Sequence, residues 1–62
     1  MPFAKNISSL LVKNNISSCK LAKDIGVHTT TVTNWKKGKK PTVEHLVLVA
    51  NYFGCSIEEL IR

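Results

Sequence analysis

Residues 18–38 read SCKLAKDIGVHTTTVTNWKKG, and this stretch decides the fold. Leu21, Ala22 and Ile25 recur at helical spacing. Gly26 then predicts a stop, because glycine takes the left-handed cap conformation without a Cβ penalty. Val27 is expected to turn inward across the break. A second helix is predicted over residues 29–37, with Val32 and Trp35 on its buried side. Two short helices joined by a tight glycine turn make a helix-turn-helix. The outer face of the second helix carries Thr29, Thr30, Thr33, Asn34 and Lys37. These side chains can hydrogen-bond and include no carboxylate, so the face is suited to the major groove of DNA.

Working outward, Pro2 suits the entry to a first helix. Phe3, Ile7, Leu10 and Leu11 lie on one helical face, and Asn14 and Asn15 are expected to end it. Ile16 should tuck under the turn, and Ser17 or Ser18 can cap the second helix. After Gly38, Lys39, Lys40 and Pro41 form a loop. Thr42 can cap a fourth helix with Glu44 near its positive end. Val43, Leu46, Val47, Ala50 and Phe53 would supply its apolar face. Gly54 ends it, and Ser56 with Glu59 three residues on resembles a capping box for a fifth helix. Ile57, Leu60 and Ile61 would close the core. No alternating strand pattern is present, so the expected fold is all-α with five short helices in one domain spanning residues 1–62.

The chain has 62 residues, a net charge of +5 and a sequence pI of about 9.6, which favours a polyanionic partner. The charge is lopsided. Residues 1–41 hold eight lysines against Asp24 alone, giving +7, and residues 42–62 hold Arg62 against Glu44, Glu58 and Glu59, giving −2. Cys19 and Cys55 are too few for a disulfide framework or a zinc site and read as two buried or half-buried thiols. The longest dense apolar run, residues 46–50, is far too short to span a bilayer, and no signal peptide is visible. A soluble, cytoplasmic protein with no membrane role is expected. No spacing suggests catalysis or a metal site, so the reading is of a non-enzyme without cofactor, metal or evident small-molecule ligand.

The pattern Leu21-Ala22, Gly26-Val27, Val32, Asn34-Trp35, Gly38, Pro41, Leu46, Ala50, Phe53-Gly54, Ser56 and Glu59-Leu60 resembles the lambda repressor/Cro family, the XRE-type helix-turn-helix domains. The resemblance covers nearly the whole chain. It implies a five-helix fold whose third helix reads the major groove and whose second crosses the sugar-phosphate backbone. Binding as a homodimer on a pseudo-palindromic operator is also implied. Four positions depart from the family pattern. His28 stands where a small capping residue usually opens the recognition helix, and Thr29 could take over that cap. Leu11 replaces a common basic residue, Lys36 a common acidic one that often forms an intramolecular ion pair, and Leu48 a usual polar one.

Thr29, Thr30, Thr33 and Asn34 are the candidates for base contact. Asparagine can pair bidentately with adenine, and threonine offers a hydroxyl and a methyl group. The bland alternative, threonines on an indifferent helix surface, is opposed by the poor helix propensity of a β-branched run. Lys36, Lys37, Lys39 and Lys40 would neutralise phosphates and fix register, or form a solvated cationic loop. Ser17, Ser18 and Lys23 could meet phosphate at the start and side of helix two, where free amides attract anions; plain capping is the alternative for the serines. His28 touches phosphate or is an uninvolved turn residue. Trp35 belongs to the core, and His45 is expected to be exposed. Leu48 and Tyr52, four apart on helix four, are either ordinary exposed apolar residues or part of a self-association patch. The expected function is that of a sequence-specific transcriptional regulator binding double-stranded DNA, a small phage or bacterial repressor that occludes an operator. A protein-interaction module of antitoxin-like or adaptor type, or the N-terminal reader of a longer repressor, are the alternatives.

Overall fold

In the computed structural model, which describes residues 2–62, the helices are α1 (Phe3–Lys13), α2 (Ser18–Ile25), α3 (Thr29–Lys36), α4 (Val43–Phe53) and α5 (Ile57–Ile61). No strand occurs among the described residues. The all-α, five-helix expectation therefore holds, with the helix-turn-helix at α2 and α3.

Three of these helices stop by the same device. A residue in the left-handed region follows the helix: Asn15 (φ 54°), Gly26 (φ 79°) and Gly54 (φ 68°). The next residue then donates its amide five positions back, Ile16 to Leu11, Val27 to Ala22 and Cys55 to Ala50, at 2.9–3.0 Å. Such a closure satisfies the last helical carbonyls and turns the following side chain inward. Ile16, Val27 and Cys55 accordingly all pack against the core. At the end of α1 the left-handed residue is Asn15. Asn14 stays right-handed, and its side-chain amide donates to the Leu10 carbonyl at 2.8 Å.

The helix starts are less uniform. Ser17, Thr42 and Ser56 each accept from the amide three residues on, at 3.1–3.2 Å. His28 occupies the corresponding position before α3 with no side-chain bond. Thr29 does not take over that cap, because it is already the first helical residue. The exposed first turn of α3 thus holds amides that no side chain satisfies.

One apolar cluster joins all five helices, drawing on Phe3, Ile7 and Leu11 of α1, Leu21 of α2, Val32 and Trp35 of α3, Val49 of α4 and Leu60 of α5. Asn6 fastens α5 onto α1: its side-chain amide donates to the Leu60 and Arg62 carbonyls at 2.7 and 3.0 Å. On α4 the buried stripe is Leu46, Val49 and Ala50, with Phe53 half-buried. Val43 is 73% exposed and Val47 40%, contrary to expectation. The stripe follows i, i+3, i+4, i+7 from Leu46, which places Val49 inward and rotates Val47 to the flank. His45 is half-buried rather than exposed, its ring lying 5.4 Å from that of Trp35. Cys55 is half-buried, and its thiol is pushed up by burial and then by Glu59, whereas Cys19 is exposed on α2 rather than buried. No described helix is long and apolar enough to cross a membrane.

His28→Ser should supply the missing cap and raise stability by about 0.5–1 kcal/mol in urea denaturation. No gain would mean that the first-turn amides of α3 are already well solvated.

Candidate nucleic-acid interface

Burial of Val32 and Trp35 fixes which way α3 faces. Thr29, Thr30 and Lys37 are exposed, while Thr33 and Asn34 are half-buried. The proud part of the ridge is therefore narrower than the sequence suggested. It holds hydroxyl, methyl and ammonium groups and no carboxylate.

The ridge runs directly into the lysine loop. The Lys39 amide donates to the Asn34 carbonyl at 2.9 Å, and Gly38, at φ 108°, donates to Trp35 at 3.0 Å. These bonds hold the loop backbone against the last turn of α3. The side chains of Lys37, Lys39 and Lys40 remain in solvent. Asn34, Lys39 and Lys40 also share a hollow with Thr31, Thr42 and His45. Thr42 and His45 could not be assigned to this neighbourhood from sequence, because only the path of the loop brings α4's first turn beside α3.

A second hollow lies where the last residue of α3 meets the start of α2. It is lined by Ser17, Ser18 and Lys36, together with Asn15 and Val12. The Lys36 ammonium donates to the Ser18 hydroxyl oxygen at 3.3 Å, so the lysine that replaces a common acidic residue bridges the two helices. Ser17 accepts from the Lys20 amide and keeps its own hydroxyl hydrogen available to an acceptor. An anion arriving here would meet a hydroxyl, an ammonium and the first amides of α2, a favourable combination. Lys23 and His28 line neither hollow; both are exposed, Lys23 on α2's last turn and His28 before α3.

Asp24, the sole carboxylate in this half of the chain, is occupied. The Tyr52 hydroxyl donates to it at 2.6 Å and the Lys20 ammonium approaches to 3.1 Å. Tyr52, then Lys20, hold the Asp24 carboxyl below its ordinary value, while Asp24 raises both partners. This cluster ties α2 to α4 and sets the helix-turn-helix against the rest of the domain. It was invisible in the sequence, where Asp24 and Tyr52 stand 28 residues apart. Among the described residues no three His, Cys, Asp or Glu side chains gather as a metal site would require.

Comparison with known proteins gives one family match. The model of the Cro/C1-type HTH DNA-binding domain matches residues 6–62. No curated protein and no solved structure matches the chain.

The Asp24 bond has a defined pH signature. A depressed carboxyl stabilises the fold above the ordinary aspartate value of 3.8 and loses that contribution as pH falls through the lowered one. Tyr52→Phe should lower the urea midpoint slightly near neutral pH, and the gap from the parent should narrow as pH falls below 3.8. An equal gap at both values would mean that Tyr52 acts by packing alone.

Proposed function

The chain belongs to the Cro/C1-type helix-turn-helix DNA-binding family, and from that premise we propose that it is a sequence-specific repressor acting by operator occlusion. The family supports a DNA-binding regulator and double-stranded DNA as its partner. The observation that carries the finer reading is the carboxylate-free ridge of α3, continuous with three exposed lysines. In this reading residues 1–62 form one domain. Thr29, Thr30, Thr33 and Asn34 meet base edges in the major groove. Ser17, Ser18, Lys23, His28, Lys36, Lys37, Lys39 and Lys40 meet phosphates on either side.

The roles divide by chemistry. Asn34 can give and take a hydrogen bond at one base, which distinguishes base pairs. The threonine hydroxyls and methyls add contacts of lower selectivity. Lysines supply affinity without sequence information, because every phosphate is alike. Each good bidentate base contact is worth about 1–3 kcal/mol of discrimination, so one ridge alone specifies a short site. Two copies on a pseudo-palindrome, one helical turn apart, would double that set, and homodimerisation on DNA is part of the proposal. The mechanism involves no bond making or breaking: a bound dimer would exclude a competing protein from the same duplex. A phage or bacterial setting and a cytoplasmic location go with it.

Selection from random duplexes at two salt concentrations tests this reading. A motif with two-fold symmetry is expected. Five lysines on phosphate would give a slope of log affinity against log salt of about −4.5 per subunit. Asn34→Ala should cost about 1–3 kcal/mol at one base pair and relax preference there. Lys39→Ala should weaken all duplexes alike and reduce the slope by about 0.9. Recovery of no motif, or a slope near zero, would contradict the proposal.

A further inference from the structure

We infer that His45 is a further phosphate-contacting residue and that it makes DNA affinity depend on pH. This rests on the DNA-binding reading above. His45 lies in the first turn of α4, and its backbone amide donates to the capping Thr42 at 3.2 Å. Its ring packs at 60° to that of Trp35, with centroids 5.4 Å apart. The groups sharing its hollow are Thr31, Asn34 and Trp35 of α3, Lys39 and Lys40 of the loop, and Thr42 of α4. Only the two lysines among them are charged; Glu44, the preceding residue on α4, is exposed.

Two facts keep the ring nitrogens out of the sealed interior. No described protein group hydrogen-bonds with the imidazole. No described buried side-chain nitrogen or oxygen lacks a partner either, so these nitrogens, having none, are not buried. The ring thus rests against Trp35 and helps line a hollow with Asn34, Lys39 and Lys40. When Asn34 reaches a base and the two lysines reach the backbone, the duplex covers that hollow. A phosphate held there favours imidazolium over imidazole, so duplex binding and proton uptake become linked. The sign is fixed: affinity rises as pH falls.

The test uses the full chain and a fluorescent random-sequence duplex, with anisotropy read at about pH 5.5 and about pH 8 over a salt series. His28→Gln serves as the background, leaving His45 as the one histidine. There, acidification should tighten binding about two- to fivefold and steepen the salt slope by about 0.9. His45→Phe in the same background keeps an aromatic ring against Trp35 and should abolish the pH response. In the parent protein, which avoids any question of variant folding, the His45 ring titration followed by NMR should move up by about half a unit when duplex is added. Binding at pH 8 with no pH response, a response that survives His45→Phe, or an unmoved ring titration would each overturn this inference alone. Absence of duplex binding at both pH values would overturn it together with the DNA-binding reading.

Discussion

Trp35 is the constraint on which the arrangement of α3 depends. The helix has eight residues, opens without a side-chain cap and contains four threonines and a valine. Short helices are marginal in water, and β-branched residues lose side-chain freedom in them. Local preference alone therefore does not account for α3. Packing does: Trp35 is 2% exposed and lies edge-on to Phe3, with ring centroids 5.6 Å apart and planes at 77°. Val32, one turn earlier, is fully buried beside it. Removing a buried tryptophan typically costs about 3–5 kcal/mol, a large part of what a domain this small possesses. The same burial sets the rotation of the helix. A sequence ill suited to an isolated helix can thus be displayed as a fixed polar ridge.

The electrostatics follow from that placement. The ridge ends in lysine side chains that fan out in two directions: Lys36 turned toward Ser18 at the start of α2, and Lys37, Lys39 and Lys40 around Gly38. The nearest acid in sequence, Asp24, is engaged by Tyr52 and Lys20 and faces α4. The glutamates lie on α4 and α5. A surface so divided attracts a polyanion to one side of the molecule, and the hydroxyl and amide groups beside the lysines can then act at contact range.

Much of this was legible in the sequence because it rests on local rules. Glycines at 26 and 54 and the hydroxyl residues at 17, 42 and 56 mark helix ends through bonds that span only a few residues. Val32 and Trp35 declare the buried side of α3 by their spacing. What escaped was decided between helices. Val43, Leu46, Val47 and Ala50 satisfy a helical period as well as Leu46, Val49 and Ala50 do; contact with the other helices selects the second set. His45 carries no local sign of its place beside Trp35. Tyr52 looked like an exposed apolar residue until α2 brought Asp24 to its hydroxyl. Thr33 and Asn34 look as free as Thr30 on a helical projection, but neighbouring segments cover their flanks. For the interface, the residue types could be read from the sequence, while the two hollows that group them required the fold.

The most direct test of the central claim, that the exposed ridge of α3 is the surface that meets DNA, is amide chemical-shift mapping on addition of a duplex. The account predicts that the largest changes fall on residues 29–34 and 36–40, with a second group at residues 17 and 18. Saturable binding that leaves residues 29–34 unmoved and perturbs only the outer sides of α4 and α5 would contradict it.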